Sequence, residues 1–465
     1  MTELTNQDAA PLAESISLGM QDRLLRGPVV PTMLSLATPA TVVMVIQILV
    51  SLAETYFLGF LGTDALAGVT LVFPVLTFMQ MISNGDIGGG VASAVARALG
   101  AGRREDANMV LMQGLLLAIV FGAACTAAEM VGGRALYVML GGTDAGLLAA
   151  LSYSRVIFAG AVLIWIVSIL AAALRGAGDM AVPALVTVAA ALVVIPLSPA
   201  LIFGWWIFPR LGVAGAAAAV VIYYFSAAIA LIAYLHSPKS PLRLRFGGMN
   251  WLLLKDVLRI GGASAIRTSQ SNLAIVLITG LVGLFGTKAL AGYGIASRLD
   301  FLLIPLLFGL GTAVLSMVGA NVGAGQYERA NRIGWLGALA GALATGVIGI
   351  AAAAVPNAWL GLFSNDPEVL RTGASYLKTV APFYGLFGFG IVAFFAGQGI
   401  ARVGWPFLAA SGRLALVAFA VWFFVKTPGS GTSALWLVVG VSYLVFGGIS
   451  AFGLRPAGWK PGQAH

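Results

Sequence analysis

The sequence is poor in the residues that enzymes and metal sites use. Cys125 is the only cysteine, which excludes an internal disulfide. The two histidines, His236 and His465, leave little for a metal cluster or a histidine-based catalytic site. Charged residues make up only 9% of the 465 residues. We therefore predict that the protein is not an enzyme and has no catalytic residue, resident metal or other cofactor.

Apolar residues dominate instead. Hydrophobic residues make up 60% of the chain, a composition that excludes a water-soluble globule and indicates a polytopic membrane protein embedded in a lipid bilayer. A hydrocarbon core of about 30 Å needs about 20 apolar residues per helix, and lipid offers no partner for unpaired backbone. We predict an all-α fold with twelve transmembrane helices, at residues 30–60, 65–97, 107–132, 146–174, 181–204, 211–235, 253–284, 288–320, 331–356, 370–399, 404–425 and 433–454.

The net charge of +9 has a topological explanation. No basic residue lies in an aromatic-interleaved pattern typical of nucleic-acid binding, so we expect no nucleic-acid partner. On the twelve-helix prediction, one side of the membrane carries sixteen Lys and Arg residues and the other carries six. Cytoplasmic loops are enriched in these residues. Both termini are therefore predicted to be cytoplasmic, residues 1–27 as an arm without a signal peptide and residues 456–465 as a tail.

The chain contains an internal repeat. Residues 100–108 (GAGRREDAN) return as residues 323–331 (GAGQYERAN), 223 positions later, with six of nine positions identical. The pair Ser152-Tyr153 returns at the same offset as Ser375-Tyr376. Composition alone does not keep a register. Internal repeats of this kind are typical of secondary transporters, which bind substrate between the repeats.

The repeat predicts two lobes of six helices each. We place the N-lobe at residues 28–235 and the C-lobe at residues 251–455, joined by a cytoplasmic linker at 236–250 where Pro238 and Pro241 stop helices. Because six crossings return the chain to its starting side, the lobes should be related by a pseudo-two-fold axis along the membrane normal.

Charged residues inside membrane spans are costly and mark functional sites by default. In the N-lobe, Glu54 follows Gln47 and Ser51 on one face of the first span. A carboxyl group shielded from water holds a proton near neutrality or stays ionised by binding a cation, although a structural ion pair with Arg or Lys is the alternative. Asp86 lies in the glycine-rich stretch 83–90, which indicates an ion site in a loosened helix or close packing alone.

The C-lobe candidates are mostly cationic or neutral. Arg267, Gln270 and Asn272 belong to a polar run in the seventh span, and Arg298 and Asp300 lie in the eighth. These side chains are candidates for substrate recognition. The alternative is a structural pair of Asp300 with Arg267 or with Arg298.

Two prolines mark the fifth span. Pro196 and Pro199 bracket Ser198, which we count among the cleft residues. Proline removes a backbone hydrogen bond and bends a helix, so both are candidate hinges, although packing alone also explains such bends.

Three segments carry a family resemblance: residues 54–67 (ETYFLGFLGTDALA), 91–102 (VASAVARALGAG) and 174–179 (LRGAGD). In combination they resemble the MATE family, for multidrug and toxic compound extrusion, in a bacterial branch. The resemblance implies two six-helix lobes around a central cleft and exchange of H⁺ or Na⁺ for a small organic compound, usually a cation. It also implies a multi-pass protein of the bacterial plasma (inner) membrane, which we expect to be a monomer.

The chain departs from the family pattern at defined positions. Glu54 stands where many relatives have Asp, so the role of the N-lobe coupling carboxylate carries over with a conservative change. Val194 and Ser198 replace the Asn and Asp that the family carries in the fifth helix. The acids that some relatives carry in the seventh and tenth helices are absent from this sequence.

The function predicted from the sequence is antiport, in which protonation of Glu54, linked to Asp86, favours one conformation of the lobes. Export of an anionic metabolite is one alternative. A second is a flippase for lipid-linked precursors, with Arg267 and Arg298 binding a pyrophosphate. A receptor or an intramembrane enzyme is a third, disfavoured because no soluble domain and few catalytic residue types are present.

Overall fold

The structure is a computed structural model that describes residues 19–205, 207–244, 248–426, 432–455 and 459. All regular elements within these residues are helical. The predicted N-terminal arm and C-terminal tail lie largely outside the described residues.

The described helices confirm the all-α prediction. Eleven of them are long and apolar enough to cross a membrane, and a pair bent by 50° at Gly160 makes a twelfth crossing if counted as one span. The helices are α1 (Val29–Gly59), α2 (Thr63–Gly100), α3 (Arg104–Met139), α4 (Asp144–Ala159), α5 (Ala161–Gly176), α6 (Ala181–Phe203), α7 (Val213–His236), α8 (Trp251–Gly283), α9 (Thr287–Gly323), α10 (Tyr327–Ala354), α11 (Pro356–Leu360), α12 (Pro367–Gly399), α13 (Gly404–Lys426) and α14 (Thr432–Gly453).

The bent pair α4–α5 is the main difference from the predicted spans. The sequence predicts one helix at 146–174, whereas the chain turns at Gly160. A Cβ at this position would come within 2.7 Å of a Val221 methyl group of α7. The bend therefore lies at a position where a side chain larger than that of glycine would clash with Val221 of α7.

The chain forms two compact units. The first comprises Met1–Gly27 and Thr38–Gly261, and the second comprises Pro28–Ala37 and Gly262–His465. The division between residues 37 and 38 falls within α1, and the division between residues 261 and 262 falls within α8. The sequence instead predicts a division in the connection between α7 and α8. A sequence repeat marks equivalent residues and not the segments that pack together, so these divisions could not be read from the sequence.

Glycine sets the helix spacing inside each unit. In the first unit, a Cβ on Gly122 of α3 would lie 2.5 Å from the Cα of Val162 in α5. In the second unit, a Cβ on Gly349 of α10 would lie 2.0 Å from the carbonyl oxygen of Ala381 in α12. Helices in lipid associate through such close backbone contacts, because no hydrophobic force drives them together.

The contact at Gly122 predicts a selective loss of stability. We expect Gly122→Ala to destabilise the first unit by about 1–3 kcal/mol, because the added methyl group has no space. Gly132→Ala in the same helix is the control, since a Cβ added there would have no atom within 4 Å. Thermal unfolding in detergent, followed by tryptophan fluorescence, measures both variants. Equal melting temperatures for the two would contradict the packing described.

Candidate functional site

Glu54 lies on α1 in the first unit and is half-buried. The hydroxyl of Tyr153, a buried residue of α4, donates a hydrogen bond of 2.8 Å to its Oε1. Within the part of the chain that the structure describes, no Lys or Arg forms an ion pair with Glu54. The structural ion pair considered from the sequence is therefore not found, and the carboxyl group is held by a neutral donor.

A small recess lies beside Glu54. Its volume is about 10 Å³, which is about what one water molecule needs. Ser198 of α6 lines the recess, and its buried Oγ has no hydrogen-bond partner among the described residues. The recess is lined by Val50, Ala53, Glu54, Phe57, Val194, Ile195, Ser198 and Val220. A carboxyl group and an unsatisfied hydroxyl thus share a cavity of the size of one water.

The prolines of α6 remove a backbone hydrogen bond next to this recess. The helix runs through Pro196 and Pro199 without a break. Pro199 has no N–H to donate to the carbonyl of Ile195, one helical turn earlier, and Ile195 lines the recess. The hinge role of the two prolines stays a prediction, but their removal of backbone donors is a direct consequence of the sequence.

Further polar groups continue away from Glu54. Gln80 of α2 donates a 3.1 Å hydrogen bond to the hydroxyl of Tyr224 in α7, and the ring of Tyr224 packs edge-on against Tyr223. Gln47 lies beside the Tyr223 hydroxyl. Ser51 is half-buried on the same helix as Glu54 but is not among the residues that line the recess. Of the three polar residues predicted to share one face of α1, Gln47, Ser51 and Glu54, only Glu54 lines the recess.

Asp86 lies in a different environment. It is buried within Ile82–Ile87, a π-helical turn in α2. Two neighbours of Asp86 in this turn hydrogen-bond with α5: Asn84 Oδ1 accepts from Arg175 at 2.6 Å, and Ser83 pairs with Ser168 at 3.2 Å. The structure thus shows a loosened helix, as one sequence interpretation predicts, and the link between Asp86 and Glu54 stays a prediction.

Asp300 is the centre of a second cluster, in the second unit. It lies on α9 and accepts hydrogen bonds from three tyrosine hydroxyls. Tyr376 donates at 2.8 Å, Tyr443 donates at 3.3 Å, and Tyr384 is the third donor. These tyrosines come from α12 and α14.

The ion pairs considered for Asp300 are not formed. Arg298 is exposed, and its guanidinium lies 5.7 Å from the ring of Phe363. Residues two apart on an α-helix point in nearly opposite directions, which separates Arg298 from Asp300. Arg267 also makes no ion pair with Asp300, and its guanidinium carbon lies 4.0 Å from the Phe394 ring centroid. An Arg–Asp300 pair, the alternative left open by the sequence, is not formed among the described residues, where tyrosine hydroxyls occupy the carboxylate.

The polar run of α8 divides into two groups. Arg267 is buried against the aromatic ring of Phe394, and Gln270 donates a 2.9 Å hydrogen bond to Ser411 of α13. Asn272 instead donates to the carbonyl of Thr268 in its own helix at 2.9 Å. Arg267 and Gln270 therefore face other helices of the second unit, whereas Asn272 is satisfied locally.

Sequence reasoning missed the tyrosines that hold both carboxyl groups. The recurrence of Tyr153 as Tyr376 at the repeat offset was the signal that could have found two of them. It also missed Glu129, a buried residue of α3 that lies within the predicted third span. Its Oε2 accepts a 3.1 Å hydrogen bond from Tyr137, and its buried Oε1 has no partner among the described residues.

Sequence comparison places the chain among transporters. The family model MatE matches residues 39–200 and 265–424, one match in each half of the chain. The chain is 29% identical to a FAD transporter of Shewanella oneidensis, over 80% of this chain and 83% of that protein. It is 28% identical to a probable multidrug resistance protein, NorM, of Thermotoga maritima, over 76% of each chain.

Solved structures have the same fold. A crystal structure of MATE in the bent conformation matches with a TM-score of 0.86 at 24% identity, over 94% of this chain and 96% of that chain. A MOP superfamily transporter from Pyrococcus furiosus, described as having a binding pocket of reverse polarity, matches with a TM-score of 0.82 at 25% identity, over 93% and 96% of the two chains. The chain is a multi-pass membrane protein that belongs to the MatE family, a family of transporters and not of enzymes, and the resemblance found in its sequence is thereby confirmed.

Proposed function

We propose that the protein is a secondary active antiporter that exports small organic compounds by alternating access, with Glu54 as the group that couples export to an inward cation. The observation that carries the proposal is the environment of Glu54. It is a half-buried carboxyl group with a tyrosine donor, a water-sized recess and no cationic partner among the described residues. Such a group is able to change its charge, whereas a carboxylate paired with arginine stays ionised.

Tyr153 is able to serve both charge states of Glu54, because its hydroxyl donates and accepts hydrogen bonds. The ionised form accepts from Tyr153, and Ser198 Oγ lies in the same recess with its hydrogen-bonding capacity unused. A protonated carboxyl group gains a donor, for which a hydroxyl oxygen is a suitable acceptor. Protonation then shifts the conformational equilibrium by as much as the two conformations differ in their affinity for the proton.

The recess favours H⁺ over Na⁺ as the coupling ion. A hard metal cation requires several oxygen ligands. Glu54 and Ser198 are the two lining residues that have a side-chain oxygen, and the recess has space for about one water. No group of three or more Asp, Glu, His or Cys residues able to hold a metal occurs within the described residues. Proton exchange needs only the carboxyl group itself.

The substrate class is proposed from the second unit and the relatives. Organic, amphipathic compounds fit the relatives named for multidrug resistance. An anionic compound is the second candidate, favoured by two buried arginines that lie over aromatic rings: Arg267 at 4.0 Å from Phe394 and Arg413 at 4.9 Å from Tyr443. A guanidinium beside an aromatic face binds a planar anion well.

The cellular setting belongs to the same proposal. The excess of Lys and Arg on one side favours a bacterial inner-membrane protein with both termini in the cytoplasm. A monomer is sufficient for the mechanism, because the coupling group and its partners all lie within one unit of one chain.

Glu54→Gln should abolish gradient-driven export, because the isosteric amide keeps the packing but cannot exchange a proton. Proteoliposomes loaded with a panel of organic compounds, under a pH gradient and separately under a sodium gradient, measure this. Glu105→Gln, at an exposed position in the first turn of α3, is the matched control and should export normally. Unchanged export by Glu54→Gln would remove Glu54 from the mechanism.

Tyr153→Phe should lower the export rate roughly 2- to 10-fold, because one hydrogen bond to Glu54 contributes about 0.5–1.5 kcal/mol. Tyr56→Phe on α1 is the control, since the Tyr56 side chain is exposed and should tolerate the change. Initial rates in the same proteoliposomes compare the two variants. A rate for Tyr153→Phe equal to that of Tyr56→Phe would show that the tyrosine does not act on the coupling group.

Arg267→Met should separate the two substrate classes. If the arginine binds an anionic substrate, export of a flavin nucleotide should fall roughly 10- to 100-fold, as expected for a lost charge-assisted hydrogen bond. Export of a cationic dye should change little. Arg371→Met, at an exposed arginine of α12 in the same unit, is the control and should leave both unchanged. Equal losses for dye and nucleotide would contradict a role in anion recognition.

A further inference from the structure

The internal repeat duplicates a tyrosine that holds a carboxyl group. Tyr153 and Tyr376 occupy equivalent positions of the repeat, 223 residues apart. Each donates a 2.8 Å hydrogen bond to a carboxylate within its own unit, Tyr153 to Glu54 and Tyr376 to Asp300. The same device is therefore present twice in the molecule.

The two carboxyl groups are not themselves equivalent in the repeat. The local register of the repeat, in which GTDALAG at 62–68 aligns with GTKALAG at 286–292, places Ile278 of α8 at the position of Glu54 and Leu76 of α2 at the position of Asp300. The second unit thus has its acid on a different helix, yet the equivalent tyrosine reaches it. This placement is not inherited from the register of the repeat, so it requires an explanation of its own.

The surroundings of Asp300 are built almost wholly from neutral hydroxyl groups. The titratable or charged groups that face it are Tyr293 on its own helix α9, Tyr376 and Tyr384 on α12, Arg413 on α13 and Tyr443 on α14. Arg413 is within electrostatic reach but forms no ion pair, because its guanidinium lies over the ring of Tyr443 at 4.9 Å from the centroid. Its charge is therefore near Asp300 without direct contact.

Tyrosine hydroxyls serve both protonation states of a carboxyl group. Each one donates to the ionised form. When the carboxyl group is protonated, one hydroxyl rotates its hydrogen away and accepts the new O–H through an oxygen lone pair. No heavy atom has to move. A purely structural role requires one permanent charge state, which a direct ion pair with Arg413 would provide.

We propose that Asp300 is a second proton-binding site, so that each unit of the protein carries one exchangeable proton and each transport cycle moves two. The step is a simple proton transfer: Asp300 binds H⁺ from one side of the membrane and releases it to the other, with no other bond made or broken. The stoichiometry rests on the proposed antiport function, whereas proton binding at Asp300 does not.

Infrared difference spectroscopy tests proton binding directly. The purified full-length protein is titrated in detergent, and the carbonyl stretch of protonated carboxyl groups is recorded in wild type, Glu54→Gln and Asp300→Asn. We expect each variant to lose a different titrating band of the wild-type spectrum. A wild-type spectrum in which Asp300→Asn removes no titrating band would overturn the proposal, whatever the transported substrate is.

A second variant keeps the test valid if Asp300→Asn does not fold. Tyr443→Phe removes one of the three donors and keeps the ring beneath Arg413. We expect it to move the midpoint of the Asp300 band and to leave the Glu54 band in place. An unchanged midpoint of the Asp300 band in this variant would show that the Tyr443 hydroxyl does not act on Asp300.

Steady-state accumulation in proteoliposomes tests the stoichiometry. With the membrane potential clamped at zero and a gradient of one pH unit, two protons per cycle allow about 100-fold accumulation of substrate, and one proton allows about tenfold. We expect about 100-fold for wild type and about tenfold for Asp300→Asn. Tenfold accumulation by wild type would refute two-proton exchange, and failure of all export would refute the antiport proposal while leaving the infrared result to decide on Asp300.

Discussion

The central constraint on this molecule is that the carboxyl groups of Glu54 and Asp300 are held by tyrosine hydroxyls and not by cations of the described residues. A carboxylate in a low-dielectric interior is costly unless it is paired, hydrogen-bonded or protonated. Pairing with arginine would satisfy Glu54 or Asp300 electrostatically and would fix the charge. Tyrosine instead lowers the cost of the ionised form without preventing protonation. Both units use tyrosine donors in place of a cation. The charges of Glu54 and Asp300 are therefore able to change with the proton concentration.

The rest of the fold places these groups where that property is useful. Close glycine contacts let helices pack backbone to backbone, and one of them, Gly292 of α9 against the Val369 carbonyl of α12, joins the helices that carry Asp300 and Tyr376. The prolines of α6 leave a backbone carbonyl without its usual helical donor beside Glu54. Packing and chemistry are therefore connected, because the small residues that bring helices together also determine which side chains meet.

The architecture was largely predictable from the sequence, and the site was predictable only in part. Span lengths follow from bilayer thickness, so the helices agree within a few residues except at Gly160, where the bend depends on a contact with α7. Glu54 could be found because an acid within an apolar run is rare. Its partner Tyr153 is not marked by its residue type, since tyrosine is common at membrane surfaces and in cores alike, and only its recurrence as Tyr376 in the repeat could have indicated it. The sequence leaves a structural pair of Asp300 with arginine open as an alternative to substrate recognition, whereas helical geometry points Arg298 away from Asp300.

Proton release on substrate binding tests the coupling role of Glu54 most directly. A weakly buffered solution of the purified protein is mixed with a transported compound, and the change in pH is recorded with an indicator dye. The account predicts that wild type and Glu105→Gln release protons on binding and that Glu54→Gln releases fewer. Equal release by wild type and Glu54→Gln would contradict it, because the exchanged proton would then reside on another group.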